Sequence, residues 1–212
     1  MDHKNIQKKL QSTYNNIAVD FNEKRSKTWS QIENFLDKNR FIGKKDIVML
    51  DMFCGSGRFS FFDINTISID FSISMLKLIE KKKKSKENSP HPVLCDCLKL
   101  PFLDNSFDCV ICVAGIHHFK LETERKQVIM EMKRVLKKGG KFIISTWSRN
   151  AFEKGTPKDY FCQWDKKYFR YYYLFDQKEF EELIKSCGLK IDCAFEGGIK
   201  KAKNIWVEGE ME

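Results

Sequence analysis

The run Val48-Met49-Leu50-Asp51-Met52-Phe53-Cys54-Gly55-Ser56-Gly57 constrains the fold of this chain more than any other. An apolar segment of strand length ends in an acid and passes at once into a glycine-bearing turn. About ten residues later a second short apolar segment, Ile67-Ser68-Ile69, ends in Asp70. A parallel strand carries the backbone to the carboxyl edge of an open sheet, where α/β folds bind ligands. Glycines there let the chain turn tightly and let a ligand approach where a Cβ would exclude it. The pattern predicts a nucleotide-type cofactor at the strand ends, with Asp70 placed to accept both hydroxyls of a ribose.

Two residues bear on which cofactor this is. A dinucleotide site needs G-x-G-x-x-G with a helix N-terminus facing a pyrophosphate. Here Ser60 holds the third glycine position, and the Asp51 carboxylate sits where it would repel a pyrophosphate. An acid ahead of the glycines suits a cofactor with a positive amino group, such as S-adenosylmethionine. The same turn also serves as a plain strand-to-helix turn in other α/β proteins.

The periodicities extend this into an architecture. Residues 3 to 38 predict two helices, with Ile6, Leu10, Ile17 and Phe21 near a period of 3.6 and a second set at Trp29, Ile32, Phe35 and Leu36. From Asp46 strands and helices alternate, with strands at 47–52, 66–70, 92–96, 107–113, 141–147, 189–195 and 203–208. Helices are expected just after Gly57 and at 72–84, 123–137 and 176–187. Ser72 is a candidate helix cap, and Asp176-Gln177-Lys178-Glu179 resembles a capping box. The last two strands are joined by Glu196-Gly197-Gly198 and a few basic residues, too short for a crossover helix, so they must be antiparallel. The expected fold is α/β, a seven-stranded mostly parallel sheet with an antiparallel C-terminal strand. A chain of 212 residues suits one domain, with 1–45 as a helical lid or flank and 46–212 as the core.

Charge and cysteines narrow the partners. Lys and Arg exceed Asp and Glu by 38 − 29 = 9. The excess clusters at Lys81–Lys84 with Lys86, at Lys137-Lys138, at Lys166-Lys167 with Arg170, and at Lys200-Lys201 with Lys203. Such clusters suit a polyanion or a solvated face. Cys95, Cys97, Cys109 and Cys112 mimic a metal set, but residues three apart on a strand face opposite sides, so no metal site is expected. The cysteines read as reduced, buried thiols. No apolar run reaches membrane-span length and no leader is indicated, so an intracellular protein is expected, in cytoplasm or nucleus, without membrane contact.

Taken together, Asp51 to Gly57, Asp70, Asp96, Asp108 with the strand Cys109 to Val113, and Leu136-Lys137-Lys138-Gly139-Gly140-Lys141 resemble, in order and spacing, the class I S-adenosylmethionine-dependent methyltransferases. The resemblance implies a Rossmann-like fold and a cofactor site at Asp51, Cys54, Gly55, Gly57, Asp70, Asp96 and Cys97. Asp51 would lie near the methionine amino group, Asp70 would hold the ribose, and Asp96 with the Cys97 backbone would read the adenine. One departure stands out: the first glycine of the family's D-x-G-x-G-x-G is Phe53, so the turn must be accommodated differently.

A narrower match spans nearly the whole chain. Tyr14-Asn15-Asn16-Ile17-Ala18 with Phe21, Arg25 and Trp29, then Gly115-Ile116-His117-His118-Phe119, then Arg170-Tyr171-Tyr172-Tyr173-Leu174-Phe175 resemble the eukaryotic tRNA methyltransferases that esterify 5-carboxymethyluridine at the wobble position. The resemblance implies a tRNA anticodon loop as substrate. It also implies a heterodimer with a small zinc-binding activator protein shared by several methyltransferases.

The residues themselves agree with a carboxylate acceptor. After the fourth strand, Val113-Ala114-Gly115-Ile116 lacks the polar clamp of exocyclic-amine methylation. A carboxylate is already ionised at neutral pH, so its methylation needs alignment more than a base. On this reading His117 and Arg170 orient the acceptor, while Tyr14 and Arg25 close the methionine end. Tyr171 to Tyr173 would alternate between a buried face and one open to stack on a base, Trp147 and Trp164 would be core, and Val93, Leu94, Phe102 and Phe107 could offer an apolar edge to an activator. Two other functions fit the same pattern: a quinone- or sterol-type small-molecule methyltransferase, and a non-catalytic binding module, which Phe53 keeps open.

Overall fold

The computed structural model describes residues 3–25, 27–83, 89–198 and 203–212. Among the described residues, nine strands and five α-helices follow in the order α1 (His3–Lys24), α2 (Ser30–Lys38), β1 (Val48–Met52), β2 (Asn65–Asp70), α3 (Ile73–Lys82), β3 (His91–Leu94), β4 (Phe107–Val113), α4 (Glu122–Val135), β5 (Leu136–Trp147), β6 (Asp159–Trp164), β7 (Tyr168–Tyr173), α5 (Gln177–Ser186), β8 (Lys190–Gly197) and β9 (Asn204–Glu210). Seven strands form one sheet in the order β3-β2-β1-β4-β5-β9-β8, and β6 and β7 form a separate hairpin. Strands β1 to β5 are parallel; β9 runs antiparallel to both β5 and β8. This is the predicted seven-stranded Rossmann-like sheet.

The two-residue strand period decides what each face meets. On β1 and β4, Leu50, Met52, Val110 and Cys112 turn to one side and join the stripes of α4 (Val128, Ile129, Met132) and α5 (Phe180, Leu183, Ile184). Met49, Cys109 and Ile111 turn to the other and meet α2 through Ile32, Phe35 and Leu36. Cys109 and Cys112 therefore lie in different layers, as their spacing requires.

Local signals hold where predicted. The Ser72 hydroxyl accepts from the Met75 amide at 3.3 Å. The Asp176–Glu179 box caps α5. Two expectations fail, and one element has no counterpart in the sequence reading. No helix follows Gly57; residues 58–64 form bends, because Arg58, Phe59 and Ser60 are drawn individually into contacts with Trp29 and Asp51. The hairpin β6–β7 was not foreseen, and its turn places Asp165 and Lys166 in the left-handed region. The tyrosine run does not open one face: Tyr171 and Tyr172 are both buried, Tyr171 against α1 and Tyr172 against the histidine pair. Of the lysine clusters, Lys81 and Lys82 end α3, while residues 84–86 and 200–201 lie outside the described residues.

Helix α1 lies across the carboxyl edge of the sheet. Gln7, Gln11, Tyr14 and Asn15 recur at i, i+4, i+7 and i+8, a polar stripe on one helical face. Gln7 donates to the His118 carbonyl (3.1 Å) and Gln11 to the Phe71 carbonyl (2.8 Å). Asn15 accepts from the Ser72 hydroxyl (2.7 Å) and the Ser74 amide (3.2 Å). Near the helix end, Asp20 accepts from the Trp164 indole at 2.7 Å, tying α1 to the hairpin.

Candidate active site

Under α1, at the strand ends, a cavity of about 140 Å³ is lined from every layer. The β1 turn contributes Phe53, Cys54 and Gly55; β2 contributes Asp70; the turn after β4 contributes Ala114, His117 and His118; β5 ends on Trp147; β7 contributes Arg170 and Tyr172. Tyr14, Phe21 and Arg25 come down from α1 and its end. A neighbouring cleft of about 370 Å³ is lined by Asp96, Cys97, Leu94, Leu98 and Phe119, and shares Phe53, Phe71 and His118 with the first.

Asp70 is buried, its two oxygens accepting from the Ser72 amide (2.8 Å) and the Gly55 amide (2.9 Å). Each carboxylate oxygen has a second lone pair for a ligand hydroxyl. Burial pushes its pKa up to about 6, against the lowering effect of those amides. Asp96 is exposed at the mouth of the second cleft and accepts from the Leu98 amide at 2.9 Å.

Asp51 stands apart. It shares the α2 side of β1 with Met49, is buried, and does not line either cavity; one oxygen accepts from Ser60 at 2.7 Å and the other has no partner. Ser60 thus serves as the acid's hydrogen-bond donor. Burial raises the Asp51 pKa to about 7. A carboxyl so raised binds a proton more tightly folded than unfolded, so its contribution favours folding at low pH and is lost as pH climbs from about 4 through 7. Asp51→Asn removes that dependence. Relative to the native protein, the variant should gain stability between pH 4.5 and pH 8, on the order of 3 kcal/mol, in urea melts. Parallel stability curves would show that Asp51 does not carry this titration.

Gly57 also lies outside both linings and acts through packing. Its φ is +77°, and a Cβ there would meet Ile79 Cγ1 at 2.9 Å, so only glycine lets α3 close on the turn. Phe53 takes φ +57°, a strained value for a bulky residue. Its ring lies over Gly115, where a Cβ would fall 2.1 Å from Phe53 Cγ. This is how the turn tolerates Phe53 at a glycine position: the missing side chain at Gly115 makes room for the ring, which then packs edge-on to Phe119 at 6.0 Å.

The adjacent histidines divide their tasks. His118 Nδ1 faces the Tyr171 carbonyl at 2.9 Å and must donate; Nε2 then accepts from the Tyr14 hydroxyl at 2.8 Å. Burial drives its pKa down to about 3. His117 is also buried and neutral, held well below the ordinary histidine range by burial, then by His118 and Arg170. Its ring meets Tyr172 edge-on at 4.6 Å, and Nδ1 has no partner.

Arg170 is buried beside them. Its guanidinium lies 4.7 Å from the Trp164 ring centre and 5.3 Å from that of Tyr172. Nη2 reaches Cys162 at 3.2 Å, while Nε has no partner. Arg58 is a lining residue that sequence reasoning missed; its guanidinium stacks 5.0 Å from the Trp29 ring centre and its Nε donates to the Arg25 carbonyl at 2.5 Å. Trp147, expected in the core, is half-buried and lines the cavity. Asn204, also missed, lines it from the start of β9. Only the antiparallel direction of β9 brings its first residue to the edge where β5 ends, opposite Trp147.

A family model described as a methyltransferase domain matches residues 50–144. A Schizosaccharomyces pombe protein named tRNA (carboxymethyluridine(34)-5-O)-methyltransferase is 31% identical over 95% of this chain and 95% of its own. The chain belongs to the S-adenosylmethionine-dependent methyltransferases. Among solved structures, the methyltransferase complex with the Trm112 activator from Haloferax volcanii has a TM-score of 0.73 at 15% identity, covering 95% of this chain and 96% of that one. The Burkholderia thailandensis 1,6-didemethyltoxoflavin-N1-methyltransferase, holding S-adenosylhomocysteine, also has a TM-score of 0.73 at 15% identity, over 100% and 92% of the two chains.

The methyltransferase's cavities fit S-adenosylmethionine. Asp70 keeps lone pairs for ribose hydroxyls, the Asp96–Cys97 cleft has apolar walls and an acid at its mouth, and the Gly55 Cα side is open up to Phe21, 3.8 Å from where a Cβ would stand. Asp70 and Gly55 would hold the cofactor from the first cavity, and Asp96, Cys97 and Leu98 from the second.

Proposed function

We propose that this methyltransferase transfers a methyl group to the carboxylate of 5-carboxymethyluridine at the tRNA wobble position, giving the methyl ester. The observation that carries the reading is the charge of the first cavity: Arg25, Arg58 and Arg170 line it against one carboxylate, Asp70. Such a lining attracts an anionic acceptor, and the name of the fission-yeast relative points to the same substrate.

S-adenosylmethionine supplies an electrophilic methyl group when bound. The protein's part is alignment. Arg170, with its Nε unpartnered, offers a donor to the acceptor carboxylate, which is ionised without a base. His117, neutral and buried, orients the acceptor without adding charge. That division matters, because cations that grip the carboxylate too tightly would stabilise the ground state. Tyr14 and Arg25 close the cavity from α1, and we take residues 1–45 to act as a lid on the 46–212 core.

A small activator protein is proposed to cover the β3 edge of the sheet, where Leu94 is exposed. Val93 is half-buried there, while Phe107 is core and packs edge-on to Phe102 at 5.1 Å. The complex with an activator from Haloferax volcanii makes this kind of partner reasonable for the fold. Among the described residues no helix is long and apolar enough to cross a membrane; we take the site of action to be the cytoplasm or nucleus, as a tRNA substrate allows.

Transfer of labelled methyl from S-adenosylmethionine to tRNA bearing 5-carboxymethyluridine, with and without the activator, tests the proposal. The expected product loses its label in mild alkali. An alkali-stable product would overturn the carboxylate assignment.

A further inference from the structure

Among the described residues, three buried side-chain atoms without a hydrogen-bond partner belong to residues lining one cavity: His117 Nδ1, Arg170 Nε and Asn204 Oδ1. Buried polar atoms are normally paired, and an orphan in a cavity wall marks a place where a ligand completes the bond. His117 and Arg170 are assigned above to the acceptor carboxylate. Asn204 is left over. It is 3% exposed and stands on β9 opposite Trp147, whose ring stacks on Tyr172 at 5.8 Å and 25°.

A carboxamide offers one acceptor and one donor side by side. The imide edge of a uracil offers the reverse, an N3–H beside a carbonyl oxygen. The match holds whichever way the amide is turned. Trp147 adds an aromatic wall of the kind on which unpaired bases stack. We propose that Asn204 reads the imide edge of the acceptor's pyrimidine ring, exchanging hydrogen bonds with N3–H and the adjacent carbonyl, while Trp147 supports the ring's face. The inference rests on the wobble-uridine reading and deepens it. The carboxylate is held by arginine, and the base is recognised separately by Asn204.

The test is a binding measurement that needs no methyl transfer. The full chain, loaded with S-adenosylhomocysteine and measured with and without the activator, is titrated with two anticodon stem-loop RNAs, one with 5-carboxymethyluridine and one with its N3-methyl derivative at the wobble position. The native protein should prefer the RNA with the free N3–H roughly ten-fold, the value of one well-placed hydrogen bond. Asn204→Ala and Asn204→Leu should bind both RNAs alike, at the level of the native protein with the N3-methyl RNA. Trp147→Ala should weaken both RNAs by a similar factor, roughly ten-fold or more, with Trp147→Phe recovering most of the loss. Equal binding of the two RNAs by the native protein overturns the assignment without needing any variant to fold. A preference that survives in both Asn204 variants overturns it as well. Failure of the native protein to bind either RNA instead removes the tRNA reading on which the inference rests.

Discussion

Arg170→Met is expected to lower kcat/KM for the carboxymethyl substrate by about 100- to 1,000-fold, the range seen when one preorganised donor to a reacting group is lost. Methionine keeps much of the arginine stem's volume, so the packing between Trp164 and Tyr172 should survive while the charge and the free Nε donor vanish. The affinity for cofactor, measured by titration calorimetry, should stay within a few-fold, because Asp70 and the Asp96 cleft are untouched. Loss of cofactor binding with little change in turnover per bound cofactor would assign Arg170 to the wrong ligand. Arg170→Lys should recover only part of the rate, since a lysine ammonium cannot present the planar fork that matches a carboxylate.

Gly115→Ala is expected to be as damaging for a different reason. The added methyl would sit 2.1 Å from Phe53 Cγ and Cδ2 and 2.7 Å from its Cβ, so the ring must leave its place over the β4 turn. Overpacking of this kind costs about 1–3 kcal/mol and often more, and the displaced ring lies between the two cavities. Both stability and cofactor affinity should fall. Phe53→Gly in the same chain should restore most of each, since it removes the clashing ring and relieves the strained φ of +57°. A double-mutant cycle read by urea melts should give a coupling of about 2 kcal/mol. Additive effects would show that Phe53 and Gly115 do not compensate one another. If Phe53→Gly alone binds cofactor at least as well as the native protein, Phe53 is a tolerated departure from the glycine pattern.

Both predictions turn on residues at the walls of the two cavities, Arg170 and Phe53, and the residues there were legible in the sequence to different degrees. Asp70 was legible from its place at a strand end, and the Asp96–Cys97 pair, Tyr14, His117 and Arg170 from the resemblance to methyltransferase motifs; the fold brings all of them to the walls of the two adjoining cavities. Strand-end acids and the residues after β4 are legible because the chain must place them at one edge of a parallel sheet. Asp51 and Gly57 were legible as types but not as positions: one faces the α2 side of β1, the other supports α3. Arg58, Trp147 and Asn204 carry no such pattern. Arg58 lies in a segment that reads as a helix and is bent instead, Trp147 reads as core, and Asn204 looks like the first residue of an ordinary strand.

By itself the sequence determined the alternation of the parallel strands with their flanking helices and the antiparallel last strand, because these follow from local periodicity and loop length, whereas the class of cofactor rests on the resemblance carried by several motifs in register and not on one turn. Only the tertiary structure decided which side chains line the cavity. Three arginines from the end of α1, the β1 turn and β7 converge on one cavity, an asparagine arrives there because β9 runs backwards, and a phenylalanine fits because a glycine 62 positions away leaves it room. These are contacts between segments distant in the chain, and no local spacing encodes which side chain a neighbouring strand will bring to meet them.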